Sequence, residues 1–194
     1  MEQVKSIMIV GVGGQGTLLA SRVLGAVLIA AGHDVKVSEV HGMSQRGGSV
    51  VTYVRYGGSV ASPVIEKGEA DLILSFEALE AARWLPYLKK DGKIITNTQQ
   101  MDPMPVVTGA ATYPEDIIGR IRAAGADVTA VDALGLAMEA GSAKAANIVL
   151  IGLCARHMEF PRESWEVAVR ETVPAKFIDM NLRAFALGYG CEGK

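Results

Sequence analysis

The fold of this chain is constrained above all by a short apolar segment, which is followed by a glycine cluster and then by an apolar helix. Ser6 to Val10 suits a strand buried on both faces. Gly11-Val12-Gly13-Gly14-Gln15-Gly16 follows, and Thr17 to Ala31 is an apolar-rich helical stretch that Gly32 ends. Val35 to Val40 has the pattern of a second strand. The N-terminal region therefore predicts a βαβ unit with parallel strands and a right-handed crossover.

The remaining sequence continues the alternation of short apolar strands and helices. Further strands are predicted at Ser49–Tyr56, Asp71–Ser75, Lys93–Asn97, Val106–Val107 and Asp127–Val131. A helix is predicted at Glu77–Leu88, with Ser75 as its cap and a break near Pro86, followed by a turn at Asp91–Gly92. Further helices are predicted at Pro114–Ala124, Ala143–His157, Pro161–Thr172 and Ala175–Gly188. The order predicts a single α/β domain over residues 1–194, a Rossmann-like open, mostly parallel sheet with helices on both faces and a helical C-terminal region.

Charge and hydropathy narrow the classes of partner. The net charge is −2 and Lys and Arg form no run, so the electrostatic footprint of a nucleic-acid-binding protein is missing. The longest apolar runs, Val23–Ala31 and Ile148–Ala155, are much shorter than the roughly 20 residues of a bilayer span. Met1–Lys5 does not resemble the start of a signal peptide. We expect a cytoplasmic protein, without a membrane anchor, whose partners are proteins or small molecules.

Cysteine and histidine are too few and too scattered to hold a metal. The two cysteines, Cys154 and Cys191, form no CxxC pair, and the three histidines lie far apart in the sequence. An iron–sulfur cluster needs four cysteine ligands, and a structural zinc site needs four ligands at close spacing. We therefore expect no metal site in this chain.

The first glycine loop has two interpretations. A GxGxxG pattern between a strand and a helix is typical of dinucleotide binding, with backbone N–H groups on a phosphate and an acidic residue, here Glu39, on a ribose. Alternatively, the glycines only permit a tight turn and close packing of the helix on the strand. The pattern alone leaves both open.

The second glycine loop, His41-Gly42-Met43-Ser44-Gln45-Arg46-Gly47-Gly48-Ser49, gathers a guanidinium, an amide and two hydroxyls beside flexible backbone. Arg46 offers a planar fork for a carboxylate or phosphate, and the glycines leave its approach open. It is equally suited to pair with an acid such as Glu39 and hold the loop. Since both glycine loops follow parallel strands, we expect them at the same edge of the sheet.

Together the two loops resemble those of a known family, the gamma-type subunits or domains of 2-oxoacid:acceptor oxidoreductases. The resemblance runs from Ile7 to Tyr189, and its strongest signatures are GVGGQGTLLASRVLG at Gly11–Gly25 and EVHGMSQRGGSV at Glu39–Val50. Pyruvate-type members tend to carry two arginines and then Gly-Ala-Pro in the second loop. Gln45-Arg46-Gly47-Gly48-Ser49 instead resembles the indolepyruvate type.

The resemblance implies a function. An arylpyruvate, coenzyme A and oxidised ferredoxin give an aryl-acetyl-coenzyme A, carbon dioxide and reduced ferredoxin. Thiamine diphosphate, magnesium and the iron–sulfur clusters would belong to a larger alpha subunit, and this chain would bind none of them alone, with coenzyme A as co-substrate. The chain agrees, since it has neither cluster cysteines nor a GDG-type magnesium pyrophosphate motif.

A cofactor- or substrate-facing edge is then expected from ten residues: Gly11, Gly13, Gly14, Gln15, Gly16, Ser44, Gln45, Arg46, Gly47 and Gly48. No residue is expected to be catalytic. Two other interpretations stay open, a self-sufficient NAD- or flavin-dependent oxidoreductase and a nucleotide-binding regulatory domain.

Overall fold

The computed structural model describes residues 3–39 and 47–193, which contain six strands and eight α-helices. The strands are β1 Lys5–Val12, β2 Asp34–Glu39, β3 Ser49–Gly57, β4 Ala70–Ser75, β5 Leu88–Asn97 and β6 Asp127–Val131. The helices are α1 Thr17–Ala30, α2 Ala78–Trp84, α3 Met104–Val107, α4 Ile117–Ala123, α5 Ala133–Ala140, α6 Ala146–Arg156, α7 Arg162–Thr172 and α8 Ile178–Gly190. None of these helices has the length and hydropathy needed to cross a bilayer.

The strands form one sheet in the order β2-β3-β1-β4-β5-β6. β1 pairs in parallel with β4, β4 with β5 and β5 with β6, whereas β3 runs antiparallel to both of its neighbours, β1 and β2. The predicted mostly parallel α/β sheet is confirmed. β1 and β2 do run in the same direction, but they are not neighbours, because β3 turns back after the second loop and inserts between them.

Side chains alternate between two apolar layers, as the pleat of a strand requires. Ile7 and Ile9 of β1 face a core formed with α1 and α5 to α8, while Met8 and Val10 face a second core formed with α2 and α4. All four residues are at most 2% exposed. The sheet is therefore covered on both faces, and what it leaves accessible are its two edges and the loops at the strand ends.

Two local predictions are wrong. Val106–Val107 is not a strand but part of α3, which starts after Pro103. Pro105 lies in the first turn of α3, where a backbone N–H would have no partner within the helix, so proline is tolerated there. Ser75 does not cap α2, because it lies in β4 and donates its hydroxyl to the Glu77 carbonyl. The cap is Glu77, whose carboxylate accepts a hydrogen bond from the Glu80 N–H at 2.8 Å.

β5 also starts earlier than predicted, because Leu88–Gly92 is extended where the sequence indicated the end of a helix and a turn. The pairing of β4 with β5 shifts register between Ala70 and Leu72, which marks a bulge. A Cβ on Gly92 would lie 2.9 Å from the Ala70 carbonyl oxygen. Glycine is therefore required there by the close approach of two strands rather than by a turn.

α6 and α8 pack with their backbones in contact. α6 is buried all round, from Asn147 to Ala155, as expected for a helix enclosed by others. A Cβ on Gly188 would lie 2.0 Å from the Val149 carbonyl oxygen, and one on Gly152 would lie 2.2 Å from the Phe185 carbonyl oxygen. The two glycines allow this approach, so the C-terminal helices depend on them.

We predict that Gly188→Ala destabilises the chain by about 3 kcal/mol, because the added methyl group must push two helices apart. Gly25→Ala in the middle of α1 is the matched control, since nothing lies within 4 Å of a Cβ there. It should stabilise the chain by roughly 0.5–1 kcal/mol through the higher helix propensity of alanine. Urea unfolding followed by circular dichroism measures both changes, and equal stability of the two variants would contradict the packing argument.

Candidate functional site

The first glycine loop meets the described end of the second, Gly47-Gly48, at the edge of the sheet where both loops were expected. The Gly13 N–H donates to the Gly48 carbonyl at 2.8 Å, and the last residue of β1, Val12, pairs with the first residue of β3, Ser49. Of the predicted site residues, Ser44, Gln45 and Arg46 lie outside the described residues. The remaining seven lie in the first loop or in the Gly47-Gly48 pair that leads into β3.

A cavity of about 260 Å³ lies between the first loop and β3. Its lining comprises Gly13, Gly14, Gly16, Thr17 and Leu18 on one side and Val50, Val51 and Thr52 on the other. α1 begins at this cavity, and no side chain of the described residues caps its first turn, which also lacks an acidic residue. The positive end of a 14-residue helix and its unused N–H groups therefore point to this space, a combination that suits an anionic group.

Gln15 is committed to the protein rather than to the cavity. Its Oε1 accepts a hydrogen bond from the Val12 N–H at 2.7 Å, and its Nε2 donates to the Phe76 carbonyl at 3.0 Å and to Gln99 Oε1 at 3.3 Å. A Cβ on Gly11 would lie 2.8 Å from Gln15 Oε1, so this glycine is needed for the amide to fold back. The first loop is thereby tied to the segments that follow β4 and β5.

A second amide, on Asn97, extends this network across the sheet. Asn97 is 1% exposed, its Nδ2 donates to Gln99 Oε1 and to the Phe76 carbonyl at 3.3 Å each, and its Oδ1 accepts from the Ala133 N–H at 3.1 Å. The network therefore links the carboxyl ends of β1, β4, β5 and β6. The sequence analysis missed Asn97 and Gln99; the signal was the cluster of amides at the end of the predicted strand.

Gly16 is held from the helical side by Asn147 of α6. The Asn147 Nδ2 donates to the Gly16 carbonyl at 3.4 Å, and a Cβ on Gly16 would lie only 2.6 Å from that nitrogen. Gly16 also has a φ of 85°, in the left-handed region that favours glycine. Both the conformation and the space at the start of α1 thus require glycine.

A buried acid organises the next loop along the same edge. Glu77 is 1% exposed, and its carboxylate accepts hydrogen bonds from the Met101 N–H at 3.1 Å and from the Tyr113 hydroxyl. Burial, together with the hydrogen bond to the Glu77 carboxylate, raises the pKa of the Tyr113 hydroxyl well above its ordinary value. Tyr113 therefore stays protonated and acts as a fixed donor to the carboxylate.

Strand order bears on the dinucleotide interpretation of the first loop. In a dinucleotide-binding fold the acidic residue ends the strand next to β1. Here β3 separates β2 from β1, which places Glu39 two strand spacings, about 10 Å, from the glycine strand. The Glu39 carboxylate also accepts from the Ser21 hydroxyl of α1 at 2.7 Å. The geometry therefore disfavours a ribose contact by Glu39.

Cys154 is not a candidate nucleophile. It lies in the buried helix α6 and is 0% exposed, and burial raises the pKa of its thiol to about 12. The thiol therefore stays protonated at neutral pH, packs in the core and donates to Met158 Sδ at 3.6 Å.

We predict that Gln15→Ala destabilises the chain by roughly 1–3 kcal/mol, because the Val12 N–H and the Phe76 carbonyl lose a partner in a half-buried position. Gln100→Ala is the control, since Gln100 is the exposed amide next to Gln99 and no hydrogen bond of its side chain is seen among the described residues. Thermal unfolding of both variants distinguishes them; a control that loses as much stability as Gln15→Ala would contradict the network.

Comparison with known proteins agrees with this architecture. The sequence matches the pyruvate ferredoxin/flavodoxin oxidoreductase family over residues 6–191. Indolepyruvate oxidoreductase subunit IorB of Thermococcus kodakarensis is 47% identical over 188 residues, which cover 94% of this chain and 93% of the relative. The subunit of the same name from Methanothermobacter thermautotrophicus is 38% identical over 193 residues, covering 97% and 98%.

Solved structures share the fold at lower identity. A keto/oxoacid ferredoxin oxidoreductase gamma subunit from Geobacter sulfurreducens superposes with a TM-score of 0.69 at 23% identity and covers 95% of this chain and 96% of its own. A 2-oxoglutarate:ferredoxin oxidoreductase from Magnetococcus marinus superposes with a TM-score of 0.71 at 17% identity, and this chain spans 31% of its length. With the family match extending over nearly the whole sequence, the chain belongs to the pyruvate ferredoxin/flavodoxin oxidoreductase family.

Proposed function

We propose that this chain is the small, beta-type subunit of an indolepyruvate:ferredoxin oxidoreductase. The observation that carries the proposal is its end-to-end relationship, at 47% identity, to a subunit of an indolepyruvate oxidoreductase. The site supports it, because the first glycine loop and the Gly47-Gly48 pair meet beside a helix N-terminus that no described side chain caps, while the nearby amides bond within the protein. Such an edge is suited to contact a ligand that another subunit binds.

In this proposal the larger alpha subunit carries thiamine diphosphate, magnesium and the iron–sulfur clusters. When bound there, thiamine supplies the electron sink for decarboxylation of the 2-oxoacid, and the clusters pass the electrons to ferredoxin. Coenzyme A takes the acyl group; the Magnetococcus marinus relative, described with coenzyme A and succinyl-CoA bound, supports this co-substrate. The complex would lie in the cytoplasm.

The contribution of this chain would be position and electrostatics. We propose that the backbone N–H groups of Gly14 and Gly16 at the start of α1 face an anionic group of coenzyme A or of the thiamine cofactor, while Gly11 and Gly13 give the backbone its close approach. Gln15 would hold the loop in shape through its bonds to Val12 and Phe76. In the second loop, the Arg46 guanidinium would add a charged contact, with Ser44, Gln45, Gly47 and Gly48 beside it.

An NAD-dependent enzyme is the second candidate, and the same loop is its only support. The cavity beside the loop, about 260 Å³, is smaller than the roughly 300–1,000 Å³ of ordinary cofactor pockets. Glu39 is separated from β1 by β3. Both observations favour the subunit over a self-sufficient dehydrogenase or a nucleotide-binding regulatory domain.

We predict that this chain assembles with a larger subunit. Anaerobic affinity purification of this chain from its native extract should recover a larger subunit, with thiamine diphosphate and iron in the eluate. The recovered complex should reduce ferredoxin when given indole-3-pyruvate and coenzyme A. A chain that elutes alone and retains NAD or flavin would contradict the proposal.

We also predict that Arg46 contributes to the activity of the assembled complex. Arg46→Ala should lower kcat/KM of the assembled complex roughly tenfold or more, as expected for loss of hydrogen bonds to a charged group. Arg46→Lys keeps the charge but loses the planar fork, so it should restore only part of the activity. Arg170→Ala, on the exposed side of α7, is the control and should match the wild type. Full activity of an assembled Arg46→Ala complex would remove Arg46 from the site.

A further inference from the structure

A buried carboxylate on α2 reaches the first residue of β3. Glu80 is 4% exposed, and its carboxylate accepts hydrogen bonds from the Ser49 hydroxyl, from Arg83 Nε at 3.0 Å and from Trp84 Nε1 at 3.2 Å. Arg83 and Trp84 lie on the same helix as Glu80 and fix its side chain there. Ser49 belongs to another element. The carboxylate therefore connects α2 to β3.

Ser49 stands where the second glycine loop ends. It follows Gly47 and Gly48, and the Gly48 carbonyl accepts the hydrogen bond from the first loop at 2.8 Å. The next three residues, Val50 to Thr52, form one wall of the cavity. Any shift of Ser49 would therefore move both the contact between the loops and the cavity wall.

Glu80 acts on this junction from the opposite face of the sheet. Val51 and Tyr53 pack into the core that contains α2, and alternate residues of a strand share a face, so the Ser49 side chain also points away from α1. The Gly48 carbonyl is held by Gly13 in the other loop. The loop exit is thus fixed by a backbone hydrogen bond on one side and by a buried carboxylate on the other.

We infer that Glu80 is a positioning residue, which acts through Ser49 to keep Gly48 and the cavity wall in register with the first glycine loop. The inference rests on the proposed function, because its effect is read as the affinity of the complex for a substrate. A buried carboxylate that accepts three donors defines one position for each of them, and losing the Ser49 bond frees the start of β3. A displaced cavity wall weakens contacts that a bound substrate makes equally in its ground state and in the transition state, and a loss of this kind raises KM while leaving kcat unchanged.

The test uses Ser49→Ala and Glu80→Gln, singly and together, in the full chain assembled with the larger subunit. Each single variant should raise the KM for coenzyme A roughly tenfold, with kcat close to the wild-type value. The double variant should resemble Ser49→Ala, because without the Ser49 hydroxyl a change at position 80 has no partner in β3 to act through. Ser49→Thr keeps the hydroxyl and should restore the wild-type KM.

Asp71→Asn is the matched control. Its carboxylate also joins two elements, accepting hydrogen bonds from the Ser6 N–H and from Lys89 Nζ at 2.7 Å each. Asp71 lies at the amino end of β4, however, which is the end of the sheet opposite the glycine loops. This variant should lower the unfolding temperature without changing the KM for coenzyme A.

Wild-type KM in assembled Ser49→Ala, or additive effects in the double variant, would overturn the positioning role. If Glu80→Gln fails to assemble, the pair of Ser49→Ala and Ser49→Thr decides the question alone. Failure of the proposed function would look different, since the wild-type complex itself would then show no indolepyruvate-dependent ferredoxin reduction.

Discussion

The antiparallel pairing of β3 with β1 is the interaction on which the site depends. It extends along the whole of β1, from Lys5 to Val12, and ends with Ser49 opposite Val12. Because β3 enters the sheet directly from the second loop, this pairing brings Gly48 against Gly13. The same pairing moves β2 to the edge of the sheet and takes Glu39 away from the first loop. One choice of strand order thus joins two glycine loops and separates the first loop from the acid that a dinucleotide would need.

The polar side chains at this edge form a framework for the backbone. The amide groups of Gln15 and Asn97 form hydrogen bonds with backbone groups of neighbouring segments and with Gln99. Asn147 does the same at Gly16. The first loop therefore presents backbone N–H groups and the positive end of α1, an arrangement that suits an anion without the help of basic side chains. This division of roles fits a subunit that shapes a site whose reactive groups a partner carries.

Two buried carboxylates also hold backbone segments of this edge in place. Glu77 holds the segment around Met101 together with Tyr113, and Glu80 holds the start of β3. Both lie at the start of α2, within three residues of each other, and both are nearly inaccessible to solvent. Each is satisfied by several donors, as a buried charge must be. The edge of the sheet is therefore stiffened from α2 on one face and from α1 and α6 on the other.

The sequence by itself determined the local elements and the location of the loops. Alternating apolar strands and helices, with glycines between β1 and α1, were sufficient to predict an α/β sheet, because burial on two faces leaves a strong periodic signal. The signatures in the two loops were also sufficient to indicate the family. Only the tertiary structure decided that β3 lies between β1 and β2, that Gly92 and Gly188 serve close backbone approach, and that Gln15 bonds inward. These depend on contacts between residues far apart in the chain, such as Gln15 with Gln99 or Gly16 with Asn147, and local propensity carries no information about which distant segment supplies the partner.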